Sequence, residues 1–222
     1  MSTRYDRANA GGTIVQTWML PAIRTGGACS GLLLIAFLLV HLSGLIPAVA
    51  APEAFEHYAE VLHRSPWLPL VEGLLLLTAL VHISLTLIKT ALNRHAGNDA
   101  VLRSRRHQPV AAFASRSKVI AGLISLLFLV VHLGQLRFPR PAAGQERELV
   151  TQVLHQPLNL TLYAIASLAV GLHLLHGAEA AHRSLGWLTP MNKQLLHRGG
   201  QVLAAISGAG FLLISLALGV GA

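Results

Sequence analysis

The sequence predicts an all-α integral membrane protein, a bundle of five transmembrane helices with a cytoplasmic N-terminus. Three observations carry that expectation. Hydrophobic residues make up 53% of the 222 residues and charged residues only 12%, about half the share of an average soluble domain. The chain holds five long blocks without Lys, Arg, Asp or Glu, at residues 25–52, 73–88, 119–136, 149–178 and 199–222. A hydrocarbon core about 30 Å thick takes roughly 20 residues of apolar helix, so all five are expected to span it. The cations sort by side, because 13 of the 17 Lys and Arg lie before the first block, between the second and third, or between the fourth and fifth. The positive-inside rule puts those segments in the cytoplasm and the C-terminus outside.

In chain order, residues 1–222 read as a single membrane domain with spans at about 25–50, 66–90, 117–137, 157–182 and 198–221. The first 22 residues hold Arg4, Asp6 and Arg7 and no apolar core, so no cleavable signal peptide is expected. A loop carrying Glu53, Glu56, His57, Glu60, His63 and Arg64 follows the first span, and Lys89 closes the second. The polar stretch from Asn98 to Phe113 reads as a loop with short helical parts. Its Arg103 to Arg106 run is either topogenic or a patch for nucleic acid or anionic lipid. Trp18, Trp67 and Trp187 stand at span ends, where indole rings anchor to the interface. The single cysteine, Cys29, excludes an intrachain disulfide and the Cys-x-x-Cys-His attachment of c-type haem.

Histidine is abundant, and five of the 12, His41, His82, His132, His173 and His176, fall inside the apolar spans. An ionisable group at membrane depth is costly and marks a functional site by default, although one such His alone is explained equally well by a hydrogen bond to a neighbouring helix. Spacing separates these readings. His41 to His82 is 41 residues, as is His132 to His173, and Phe37-Leu38-Leu39-Val40-His41-Leu42 returns as Phe128-Leu129-Val130-Val131-His132-Leu133. Gly31 and Gly122 each stand ten residues before their His. The pattern reads as an internal duplication of a two-helix unit, giving parallel repeats of the kind membrane folds use.

At 1.5 Å per residue, His41 lies about 25 Å above Arg24 and His132 about 21 Å above Lys118, while His82 lies about 10 Å above Lys89 and His173 about 15 Å above Arg183. Two layers result, His41 with His132 towards the outside and His82 with His173 towards the cytoplasm. Two imidazoles at one depth on facing helices can ligate the iron of a flat macrocycle on both faces. That arrangement implies two b-type haems within the bundle, suited to electron transfer because both axial positions are filled. A dinuclear metal site is the rival, but it needs carboxylates beside the His, and Glu72 is the sole candidate.

With these residues the chain resembles the dihaem, single-chain membrane anchors of succinate:quinone oxidoreductases, the five-helix cytochrome b of succinate dehydrogenases and fumarate reductases. The resemblance covers Gly27 to about Gly210. It is carried by Ser30-Gly31 with His41, Glu72 ahead of His82, the Gly122 to His132 segment, and Gly171-Leu172-His173-Leu174-Leu175-His176-Gly177 followed by Leu185-Gly186-Trp187. In that family the fourth-helix ligand stands thirteen residues before a glycine. This assigns the ligand to His173 and leaves His176 as a neighbour of the cofactor or a helix-interface residue.

The resemblance implies a multi-pass subunit of the bacterial inner (plasma) membrane, in respiratory electron transport and the tricarboxylic acid cycle. A flavoprotein with covalent FAD would handle succinate or fumarate, an iron–sulfur subunit would relay electrons, and this chain would exchange them with menaquinone or ubiquinone. The sequence itself has no nucleotide fingerprint and no cysteine cluster, so dicarboxylate chemistry belongs to partner subunits. Glu56, Glu60 and Glu72 are the candidates for quinone protonation, and the absence of a carboxylate at Gly171 departs from some family members. Arg24, Ser30, Arg116, Lys118 and Arg183 are placed to meet haem propionates on the cytoplasmic side, Gln135 and Arg137 on the other, with snorkelling to headgroups as the alternative for each cation. Two further classes fit parts of the pattern: the cytochrome b subunit of a formate dehydrogenase, nitrate reductase or hydrogenase, and a His-lined transporter or metal carrier.

Overall fold

The computed structural model describes residues 18–95 and 109–221. Arg4, Arg7 and the Arg103 to Arg106 run, on which part of the expected orientation rests, lie outside them. The described residues form seven α-helices and no strand: α1 (Leu20–Ala50), α2 (Pro52–Arg64), α3 (Leu68–His95), α4 (Pro109–His132), α5 (Glu146–Leu154), α6 (Pro157–Ser184) and α7 (Lys193–Val220). Five of these, α1, α3, α4 with the turn that follows it, α6 and α7, are long and apolar enough to cross a membrane, so the chain has the build of a multi-pass membrane protein. Side chains such as Leu70, Leu127 and Leu158 are two-thirds exposed or more, the pattern of helices that turn apolar groups towards lipid.

Two segments differ from the expectation. The stretch after the first span is helix α2, not a loop. Pro52 at its first turn needs no intrahelical N–H donor, Glu53 follows in that turn, and Phe55 and Ala59, four residues apart, are buried on one face. Glu53, Glu56, Glu60 and Arg64, with His57 and His63, hid that face from a reading based on apolar blocks. The helix leading into the third span begins at Pro109, so Pro109 to Phe113 is helical and only the earlier part of the expected loop lies outside the described residues.

Proline and glycine set the other boundaries. Pro157 opens α6. Gly186 closes it with φ +73°, while the Trp187 N–H donates to the His182 carbonyl at 2.9 Å, the left-handed cap that glycine favours. After His132 the last turn of α4 widens into a π-turn over Leu133–Arg137. Such insertions re-aim side chains and recur at functional sites. Here they direct Gln135 and Arg137 towards neighbouring helices.

Packing follows the duplicated sequence. Within each repeat the two helices pack together, α1 on α3 and α4 on α6. The repeats join through α1 and α6, and α7 braces both, most extensively α6. The α6–α7 crossing is close because a Cβ on Gly171 would meet Ala204 O and Gly208 Cα, each at 3.3 Å. Small residues four apart, Ser167 and Gly171 facing Ala204 and Gly208, allow that approach without side-chain bulk. Neither α1 with α4 nor α3 with α6 shares a packed face among the described residues. Those two diagonals are the ones the histidines bridge.

Candidate functional site: two histidine pairs

The four repeated histidines meet in the two expected pairs. His41 on α1 faces His132 on α4 with ring centroids 6.0 Å apart, and His82 on α3 faces His173 on α6 at 6.3 Å. Within each pair the rings stand nearly perpendicular, at 82° and 83°. All four are half-buried. Because the helices that bear each pair do not pack on one another, the imidazoles reach across gaps wider than a helix–helix contact.

The surroundings of each ring repeat with the duplication, which has an offset of 91 residues. His82 Nδ1 lies 3.1 Å from the carbonyl of Gly27, and His173 Nδ1 lies 3.3 Å from that of Lys118. Residues 27 and 118 are themselves 91 apart. An Nδ1–H given to a carbonyl fixes the tautomer and leaves the Nε2 lone pair as the ligating position. Each of these rings also rests on a glycine. A Cβ on Gly31 would stand 3.0 Å from His82 Cε1, and one on Gly122 would stand 3.2 Å from His173 Cε1. In the other pair Phe37 stacks on His41 at 5.5 Å, and its counterpart Phe128 lies 5.4 Å from His132.

The donor set can be tested against a haem. Imidazole nitrogen sits about 2 Å from a first-row metal, and with a ring radius of about 1 Å two axial imidazoles have centroids roughly 6 Å apart. Both pairs have that separation. Each centre offers two protein nitrogens, and among the described residues no group of three or more His, Cys, Asp or Glu is placed to hold a bare metal ion. Two axial donors suit an iron whose remaining positions come from a porphyrin. The residues present therefore fit the group, with His41 and His132, and His82 and His173, as the residues that would hold it.

The other expected site residues are distributed as follows. Ser30 is buried, donates to the Gly26 carbonyl at 2.7 Å and lies 3.3 Å from His82 Nδ1, behind the ring. Arg24 lines a cavity of about 270 Å³ with Leu20, Ile23, Lys89 and Asn93 at the end of the bundle nearer His82. Arg116 and the Lys118 side chain are exposed. His176 is half-buried one turn after His173. Arg183 binds Glu179, a buried carboxylate that also lies 3.3 Å from His197 on α7. Glu179 was not singled out in the sequence because it stands at the edge of an apolar block, where carboxylates are usually solvated.

The three candidate carboxylates are all engaged. Glu72 forms a bidentate pair with Arg137, at 2.6 Å to Nε and 2.5 Å to Nη2. Glu60 pairs with Arg64 on the surface of α2. Glu56 accepts the backbone N–H groups of Glu146 and Arg147, at 3.1 and 2.8 Å, and so caps the N-terminus of α5, where a carboxylate is favoured. Burial, then the neighbouring Glu146 carboxyl, pushes Glu56 up from its ordinary value. Desolvation opposes ionisation of Glu146 as well, but hydrogen bonds from Glu56, its own N–H, Gly144 and His63 hold it below the usual range.

Tyr163 is a neighbour of the His41–His132 pair that the sequence did not single out. Its hydroxyl lies 3.4 Å from His132 Nδ1 and donates to Gln135 at 3.1 Å. A signal was present, because Tyr163 stands ten residues before His173 as Glu72 stands ten before His82. An aromatic in an apolar span reads as core, and Tyr163 is core as well, packed with Ala48, Phe55, Leu154 and Leu218.

No family model, curated protein or solved structure matches the chain.

Proposed function

We propose that this chain is the membrane-anchoring cytochrome b subunit of a succinate:quinone oxidoreductase, holding two b-type haems and passing electrons between a flavoprotein/iron–sulfur dehydrogenase and membrane quinone. The observation that carries the proposal is the meeting of four histidines in two pairs at bis-imidazole separation. When bound, each haem supplies a one-electron carrier. The chain's residues do the rest. His82 and His173 are oriented by backbone carbonyls, His82 with the Ser30 hydroxyl beside it as well, which leaves their Nε2 atoms available. Phe37 and Phe128 pack against His41 and His132, limiting ring rotation and excluding water.

The cation-rich end, with Arg24, Lys89, Lys118 and Arg183, faces the cytoplasm of a bacterial inner membrane in this reading and receives the partner subunits. The end covered by α2 and α5 faces outward. Of the candidate carboxylates, Glu72 is the one best suited to exchange protons with quinone, since it alone of the three stands in a helix long and apolar enough to cross a membrane. Its charge is balanced by Arg137, so a quinone oxygen approaching there would compete with the guanidinium for the same carboxylate.

The test is a reduced-minus-oxidised spectrum of the purified protein together with identification of what co-purifies. A reducible b-type band and a flavoprotein with covalent FAD are expected. Absence of the band overturns both cytochrome readings and leaves the His-lined transporter. A molybdenum or nickel partner reassigns the chain to the formate dehydrogenase, nitrate reductase or hydrogenase class.

A further inference from the structure

The two histidine pairs differ in what stands behind the rings. His82 and His173 turn Nδ1 to backbone carbonyls; the Ser30 hydroxyl, 3.3 Å from His82 Nδ1, gives its own proton directly to the Gly26 backbone carbonyl. His132 turns Nδ1 to a phenol. The hydrogen bonds beyond it run in one direction: Tyr163 O–H donates to Gln135 Oε1 at 3.1 Å, Gln135 Nε2 donates to Asn159 Oδ1 at 3.0 Å, and Asn159 Nδ2 donates to the Val153 carbonyl at 3.0 Å. With its hydroxyl proton given to Gln135, Tyr163 has only lone pairs to offer His132, so His132 Nδ1–H is the donor in that contact. The duplication does not repeat this arrangement. Glu72, 91 residues before Tyr163, is engaged with Arg137 instead.

We propose that Tyr163 is a positioning residue that acts through His132 to set the reduction potential of the His41–His132 centre apart from that of the His82–His173 centre; this rests on the haem reading above. An imidazole that gives its N–H to an acceptor gains basicity at Nε2 and donates more strongly to the metal, which favours the oxidised iron. The Gln135–Asn159 relay polarises the phenol and strengthens its oxygen as an acceptor. The relay ends on α5, so the potential of this centre depends on the packing of the cover over it.

Spectroelectrochemical titration of the purified full chain tests this, with His41→Ala identifying which potential belongs to the pair. Tyr163→Phe keeps the ring in the core and removes the oxygen. Its expected effect is a rise in the potential of the His41–His132 centre, about tenfold in its oxidised-to-reduced ratio or about 59 mV for one electron, with the other centre unmoved. Gln135→Leu is expected to shift the same centre in the same direction by less. Unchanged potentials in both variants, equal shifts at both centres, or loss of the centre outright would overturn the proposal. Two titrating bands in the wild type with no response to Tyr163→Phe refute this inference alone, whereas no reducible band in the wild type refutes the haem reading as well.

Discussion

Gly31 and Gly122 hold the His82–His173 pair from behind, where the space for a Cβ is already at contact distance from each ring. Val at either position drives a branched side chain into the imidazole. Gly31→Val or Gly122→Val is expected to lower haem retention at that centre and leave the His41–His132 centre intact, read as haem per protein. Equal loss at both centres would contradict the separate seating of the two pairs. At this scale the sequence marked the four histidines and was silent about what stands behind them. Two 41-residue spacings among twelve histidines mark four of them, because a repeated charge-capable residue in an apolar helix is conspicuous. A backbone carbonyl behind His82 leaves no mark in composition. Arg137 is matched to Glu72 across 65 residues, a pairing that depends on how far the π-turn rotates the end of the third span.

Helices α2 and α5 form the cover over the His41–His132 end, and their junction is a pair of carboxyls. Glu56 is raised above its ordinary value and Glu146 is lowered. A group with a raised folded value contributes stability below its unfolded value and loses it as pH rises through the folded one; a depressed group loses its contribution as pH falls. The cover should therefore weaken on both sides, with the upper loss set by Glu56, as both carboxyls become charged in one partly desolvated junction. Thermal unfolding of the detergent-solubilised protein from about pH 4 to pH 7 is expected to show the upper decline in the wild type and not in Glu56→Gln; parallel curves would refute the link between that decline and Glu56.

The α6–α7 crossing makes a second element-level prediction. Gly171→Leu overpacks a backbone contact and is expected to cost about 1–3 kcal/mol or more, seen as a lowered unfolding midpoint, while Gly177→Ala, with nothing near its Cβ, is expected to leave the midpoint unchanged. The five long helices were legible because block length alone reports a span. The amphipathic α2 was not, since its apolar face is only a few residues wide and its charges read as loop.

At the scale of the molecule, the duplication explains why two similar sites exist in one chain. Each repeat packs internally, α1 with α3 and α4 with α6, and each site takes one histidine from each repeat across a diagonal. Neither site can form within one repeat, so the two sites and the association of the repeats are one structural event. The repeat was visible in the sequence as matched spacings, whereas the breaking of its symmetry at Glu72 and Tyr163, and the role of α7 as a brace, emerge only from packing. Four histidines forming two separate bis-imidazole centres is the arrangement that haem-to-protein stoichiometry in paired histidine variants checks. Two haems per chain are expected in the wild type, one in His41→Ala/His132→Ala, and none in His41→Ala/His82→Ala; equal stoichiometry in those two double variants, or no haem in the wild type, would contradict it.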